Sequence, residues 1–378
     1  MFEITNTPRN YPWGSTTALA ELRGTQPTGQ PEAEIWFGDH PGSPSIRVSD
    51  GSTLLDWEAL DADRTPLPFL LKLLAVDIPL SLQVHPSLSA ATAGFARENA
   101  AGIPIDSPQR NYKDANHKPE IIRAVTEFSA LSGFRPQNER IDILEHLVAA
   151  KLPGASELLG ACTTSLRDGV EHIIRHSDGA VQLASALVDY SASTGVAHVD
   201  DAVNTARGIA AIFPGDPGVA LVLLLNHVVL APGEALAVPA GTVHAYLFGV
   251  GVEVMASSDN VLRAGLTTKH VDPDEFLSVV DWGSAASGRI SPRIDGNVRT
   301  LSAHFDDCAL TEIDVDGIGS VPVSGPAIAL VIDGHITLGT RHPIDLSPGR
   351  AVFCEPDDAI VEYSGRGTLV IAHSETRN

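Results

Sequence analysis

The chain has 378 residues, room for two or three compact units, and 43% of them are apolar, which excludes wholesale disorder. Its 47 acidic residues against 25 basic ones give a formal charge of −22, a surface that repels nucleic acid and anionic lipid and excludes both as partners. Three scattered cysteines, Cys162, Cys308 and Cys354, form no CxxC and fit a reducing cytoplasm, and the N-terminus lacks the basic-then-apolar stretch of a signal peptide.

The 33 glycines and 26 prolines predict frequent turns, and so many short strands rather than a few long helices. From residue 1 to about 135 short β-runs alternate with Pro/Gly turns. PFLLKLLAV (68–76) and PLSLQVHP (79–86) read as two extended segments in a hairpin-like arrangement, and a further β-run is expected over 120–134. The texture then changes. Ile141, Leu144, Leu147 and Val148, then Val181, Leu183, Ala184, Leu187 and Val188, recur at helical spacing, which predicts a helical insertion over 138–212. The β texture returns over 219–230, 235–239 and 250–255. The apolar runs at 69–76 and 219–230 are interrupted by Lys72, Asn226 and His227 and are too short to span a bilayer, so they read as buried strands. A spacer, DWGSAASGRISPRI, leads into a last all-β segment. The expected fold class is mainly β with inserted α. The predicted division is a central unit over 1–137 and 213–285, the helical insertion over 138–212, and a smaller β-domain over 286–378.

Three separated segments carry ligand-type side chains. In SLQVHPS, Gln83 and His85 lie two apart in an extended stretch, so both leave one face while Val84 leaves the other. In NYKDANHKPEI, Pro119 breaks regularity and places Glu120 at the start of the next strand. In GEALAVPAGTVHAYLF, a Pro/Gly turn ends one strand, and His244 opens the next. Each alone has a bland reading: a wet strand edge, a solvated polar loop, a hairpin with a core histidine. Together they offer two imidazoles, a carboxylate and an amide oxygen, a donor set suited to Zn²⁺ with positions left for substrate oxygens. A fourth segment, GVEVMASSDNVLRAGLTTKHVD, sets Glu253, Asp259, Arg263, Lys269 and His270 among small residues that permit close approach of a ligand. Its permanently charged Arg263 suits an oxyanion or phosphate. Lys113, Lys118, Arg263 and Lys269 would form a local basic cleft on this acidic protein, and any focusing of an anion there should weaken with salt.

The turn before His244 matches the second cupin motif, with Phe248 where many cupins carry asparagine. The four segments, with Tyr11-Pro12-Trp13-Gly14, Glu34-Ile35-Trp36-Phe37-Gly38, PFLLKLL and LSGFRP, resemble type I phosphomannose isomerase in order over roughly residues 9–272. The one departure is Thr268 in place of a proline. The resemblance implies a cupin-like β-barrel (jelly-roll) catalytic domain and a second cupin-like C-terminal domain. It maps the zinc ligands onto Gln83, His85, Glu120 and His244, the catalytic arginine onto Arg263, and substrate contacts onto Ser81, Lys118, Arg263 and Trp13. It implies one zinc per chain and interconversion of mannose 6-phosphate and fructose 6-phosphate through a cis-enediol. In the C-terminal segment LSPGRAVFCEPDDA echoes a cupin turn without ligand-spaced histidines, so no second metal is expected there. The residues leave the general base open among Lys118, Glu253, Asp259 and His117, and they leave the assembly open between monomer and dimer. The competing readings are a non-catalytic metal-binding cupin that senses a phosphorylated sugar, and an iron oxygenase. Arg263 argues against the first, and Gln83, where oxygenases favour histidine, against the second.

Overall fold

The computed structural model describes residues 1–283 and 287–375. The first third of the chain holds β1 (Phe2–Thr5), α1 (Ala18–Leu22), β2 (Glu34–Phe37), β3 (Ile46–Arg47), α2 (Leu54–Ala59), β4 (Phe69–Val76), β5 (Leu82–Val84), α3 (Leu88–Ala100), β6 (Glu120–Ala124) and β7 (Phe128–Phe134). Helices follow: α4 (Gln137–Ala149), α5 (Ala155–Thr164), α6 (Leu166–Ile174), α7 (Asp178–Leu187), α8 (Ala197–Ile212) and α9 (Gly218–Val222). Next come β8 (Leu225–Leu230), β9 (Ala235–Val238), β10 (His244–Ala256), β11 (Leu262–Gly265), α10 (Pro273–Val279) and β12 (Arg289–Ile290). The remainder is all strand: β13 (Arg293–Asp295), β14 (Val298–Leu301), β15 (Ala309–Pro322), β16 (Ala327–Leu338), β17 (Ile344–Leu346), β18 (Ala351–Cys354) and β19 (Ile360–His373). No helix of the described residues is long and apolar enough to cross a membrane.

The strands form two antiparallel sheets of ten and nine strands. In the first, the 13-residue β10 is the common partner: β4 and β6 flank its C-terminal half, β5 and β7 its N-terminal end. Alternation along β10 sorts its side chains. Ala245 and Leu247 join the apolar core shared with α4–α9, whereas Tyr246 joins the inner core with Leu74, Ile122, Phe128 and Val238. The second sheet runs β13-β14-β15-β19-β16-β18-β1-β3, so the N-terminal strands complete the C-terminal sheet. A third core spans both sheets, joining Ile4, Leu71, Leu73, Val252 and Val254 to Leu310, Leu330 and Phe353.

The structure corrects three expectations. β4 and β5 are not a hairpin, because each pairs with β10 at opposite ends of that long strand. The expected run over 120–134 breaks at 125–127 into β6 and β7. The first part of the expected strand 219–230 is helical, as α9. A run buried on every side has no periodicity to tell helix from strand, and Asp216 Oδ1, accepting from Gly218 N at 2.8 Å, starts the turn. Residues 284–286 of the expected spacer lie outside the described residues, and β12, near its end, pairs back onto β9.

A polar chain fastens the helices to the first sheet. Ser129 on β7 meets His227 Nε2 on β8 at 2.9 Å, and His227 Nδ1 meets Asp201 Oδ1 on α8 at 2.7 Å. Arg135 donates to the other Asp201 oxygen at 2.6 Å. Burial opposes ionisation of Asp201, but the hydrogen bonds and charges of His227 and Arg135 win and hold its carboxyl below the usual range. A depressed folded pKa means stability that is present above the unfolded value near ~4 and lost as pH falls through the folded one. Asp201→Asn is therefore expected to lower Tm at pH 7, with the gap to the parent closing below about pH 4 in a thermal melt series.

Candidate metal centre and active site

The turn before β10 exists because Gly241 supplies a backbone φ of 85°, and a Cβ there would sit 2.9 Å from that of Asp281. Gly241 N also donates to His85 O at 2.8 Å, which locks this turn to the end of β5. The register then lines up one row across four strands: Arg263 lies opposite Gln83, Gln83 opposite His244, and His244 opposite Ser132. Directly opposed residues share a face with Cβ atoms ~4.5–5.5 Å apart, so the row is a contiguous set of side chains. Glu120 enters from β6, between Val238 of β9 and Met255 of β10.

His85, Glu120 and His244 are buried and offer ligand atoms that all lie within 4.8 Å of one another. His85 Nδ1–H donates to Asn260 O at 2.7 Å, and His244 Nδ1–H donates to Thr242 O at 3.0 Å. These bonds fix the tautomers and turn both Nε2 lone pairs toward Glu120, the arrangement that orients metal-bound histidines. His85 Nε2 is 3.0 Å from Glu120 Oε1 yet makes no aligned hydrogen bond and is left without a partner. An orphaned, fully buried imidazole nitrogen facing a carboxylate fits a cation between them. The Gln83 amide lies 3.3 Å from His244 Nε2, and the near-equivalence of its two ends lets Oε1 face the same point. Burial, then the charge of Lys118, pushes the His85 pKa down to about 4, so the ring is neutral at pH 7 as a ligand must be. Burial opposes the charged form of Glu120, but the adjacent Lys118 charge outweighs it and holds the carboxyl well below its usual range.

Above the cluster opens a cavity of about 730 Å³. Gln83, Glu120, Lys118 and Glu253 line it, with Asp259, Arg263, Ser81 and Trp13. His85 and His244 lie beneath its floor. His117 does not line it and instead meets Asp307 Oδ2 at 2.7 Å. Lys118 Nζ is 2.9 Å from Glu120 Oε1, and Asp259 pairs with His40 at 3.2 Å. Arg263 has no hydrogen bond or ion pair among the described residues, and burial alone lowers its pKa. Lys269, beside it on the wall, is lowered by burial and then by Arg263. Arg263 and Lys269 thus face the cavity with no protein anion bound to them among the described residues, in a protein whose overall charge is −22.

Several residues of the site were not singled out in the sequence. Lys72 on β4 lies opposite Glu253 and pairs with it at 3.3 Å, and with Glu34 at 3.8 Å. Burial raises the pKa of Glu253, as does the nearby Glu120, while Lys72 and Lys118 oppose the shift. Tyr246 donates to Glu120 Oε2 at 3.0 Å. Signals for both existed: a lysine inside an eight-residue apolar strand needs a buried partner, and Tyr246 is two residues from His244 and so shares its face.

The antiparallel β-fold, the donor set and a sugar-sized cavity with unpaired cations define a metal-dependent enzyme acting on an anionic small molecule. The profile of "Phosphomannose isomerase type I, catalytic domain" matches residues 1–137. Over 395 aligned positions the chain is 36% identical to mannose-6-phosphate isomerase of Escherichia coli (strain K12), with 99% of this chain and 100% of that protein covered. It is 29% identical to the Homo sapiens mannose-6-phosphate isomerase, with 95% of this chain and 94% of that one covered. The crystal structure of mannose 6-phosphate isomerase from Salmonella typhimurium bound to substrate (f6p) and zinc is similar over the full length of both chains, with TM-score 0.89 and 34% identity. The chain belongs to the type I phosphomannose isomerase family.

Proposed function

We propose that the chain interconverts D-mannose 6-phosphate and D-fructose 6-phosphate, with Gln83, His85, Glu120 and His244 holding one zinc ion. The observation that carries this is the orphaned His85 Nε2 facing Glu120 and His244 beneath a cavity that displays the unpaired Arg263. Zinc held there supplies Lewis acidity to the sugar's C1 and C2 oxygens without redox side reactions. The chain's own residues do the rest. Arg263, in the same strand row as Gln83, stabilises charge on the enediolate oxygens. Ser81, Lys118 and Lys269 offer donors to the phosphate, and Trp13 forms an apolar wall for the sugar. A base must take the C2 proton and return it to C1. We assign this to Glu253, a cavity-facing carboxyl whose raised pKa moves it toward the operating pH.

Metal analysis with a coupled assay on mannose 6-phosphate, before and after chelation and zinc return, tests the reading, and a zinc-loaded protein without turnover would sink it. The base assignment has its own test. Glu253→Gln is expected to slow solvent exchange of the C2 proton by ~10²–10⁴-fold while zinc is retained. Lys118→Met and Asp259→Asn then serve as comparisons. Loss of exchange in either of those, with exchange intact in Glu253→Gln, moves the role.

The ten-stranded sheet reads as the cupin-like barrel of a catalytic unit (1–137 and 213–285), with the helical insertion at 138–212 and a cupin-like C-terminal domain at 286–378. The antiparallel pairing throughout and the strand–turn–strand unit ending at His244 support this reading. Because β1 and β3 pair within the C-terminal sheet, the division between the catalytic unit and the C-terminal domain separates the sequence more cleanly than it separates the sheets.

A further inference from the structure

Asn260 lies in the turn between β10 and β11 and is fully buried. Its backbone oxygen accepts the proton of His85 Nδ1 at 2.7 Å and so sets the tautomer of that imidazole. Its side chain faces the opposite partner, the polar loop at 113–116. Oδ1 accepts from Lys113 N at 2.7 Å and from Asp114 N at 3.3 Å. Nδ2 donates to Asn116 O at 2.8 Å, to Asp114 O at 2.9 Å and to Asp114 Oδ1 at 3.1 Å. Its own N–H donates to Ser258 Oγ at 3.2 Å, and that hydroxyl donates to Asp114 Oδ1 at 2.8 Å. Every polar group of Asn260 is therefore engaged. Only an amide can accept from two backbone N–H groups while donating to two carbonyls, so neither aspartate nor leucine reproduces the set.

The loop it holds is not incidental to the site. Lys113 lines the cavity at one end of it, and Lys118, Pro119 and Glu120 follow directly at the other. One buried residue thus links a histidine at the metal cluster to the segment that delivers a carboxylate and two cavity lysines, across more than 140 positions of sequence. We propose that Asn260 is the positioning residue of the metal centre, coupling His85 to the 113–120 loop so that ligand orientation and lysine placement are set together. The inference rests on the zinc site proposed above.

Asn260→Asp keeps the shape but turns the donors into acceptors that face two carbonyls and the Asp114 carboxylate. The zinc dissociation constant is read by competition with a chromophoric chelator at a temperature where the variant is folded, alongside KM for mannose 6-phosphate. A zinc affinity ~10–100-fold weaker than the parent's, with KM raised in the same variant, is the expected result. A purely structural asparagine would lower Tm and leave both readouts unmoved, so values within about twofold of the parent in folded Asn260→Asp overturn the proposal. Should that variant not fold, Asp114→Ala decides. It removes the carboxylate that accepts from Asn260 Nδ2, Ser258 Oγ, Asn116 N and Asp259 N, yet keeps the bonds of Asn260 to Lys113 N and Asn116 O. A roughly tenfold loss of zinc affinity there supports the coupling, and unchanged affinity ends it. Failure of the zinc site itself is distinguishable, because the parent would then bind no zinc in the same titration.

Discussion

His244→Ala is expected to abolish tight zinc binding and to lower kcat/KM by more than ~10³-fold, since a metal's charge stabilisation is worth several kcal/mol. Three features make this the most severe single change. His244 is fully buried, it stands between Gln83 and Ser132 in the strand row, and its Nε2 lies 3.5 Å from Glu120 Oε2. Its removal takes away one of only two imidazoles and leaves the amide of Gln83 as a weak neutral donor. Metal content after gel filtration and turnover in the coupled assay check it together. Chelator-stripped parent should recover when zinc is returned and His244→Ala should not. A variant that keeps turnover while empty of zinc would refute the site. Circular dichroism controls for folding, because Thr242 O also loses its donor.

Arg263→Ala is expected to reduce kcat by ~10²–10³-fold with zinc content unchanged, the cost of removing one preorganised charge-stabilising group. Among the described residues no carboxylate claims Arg263, although the chain carries 47 acidic side chains. Holding a half-buried guanidinium without a partner costs desolvation, and that cost is offset when charge develops beside it. Kinetics separate two roles. Loss in kcat marks stabilisation of the reacting oxygens, whereas a rise in KM with kcat intact marks a phosphate contact made equally in ground and transition states. Arg263→Lys restores charge without the planar fork, and recovery by it would argue for charge alone.

The sequence was most readable where one local rule fixed a side chain's direction. Two-residue spacing put Gln83 and His85 on one face, a proline placed Glu120 at the head of β6, and a Pro/Gly turn placed His244 at the head of β10. Illegible were features that depend on strand partners far apart in sequence. Lys72 reads as a flaw in an apolar strand until Glu253, opposite it, is known. Asn260 acts partly through its carbonyl, which any residue type supplies, so composition carries no trace of that part of its role. Strands of four residues, such as β1, are too short for periodicity to name a partner. The same limit hid the helical turn of α9 inside an unbroken buried run.

The pairing of β1 with β18 has a consequence for synthesis on the ribosome. Phe2 waits for Phe353, so nearly the whole chain must emerge before the first strand finds its place. At about 5–20 residues per second that interval is roughly 20–70 s. Until it ends, Leu71 and Leu73, and Val252 and Val254 once they have been made, lack the C-terminal cover of the core that both sheets share. The barrel side of the molecule is thus translated early but sealed late, and chaperone demand should concentrate on chains stalled or truncated before β18.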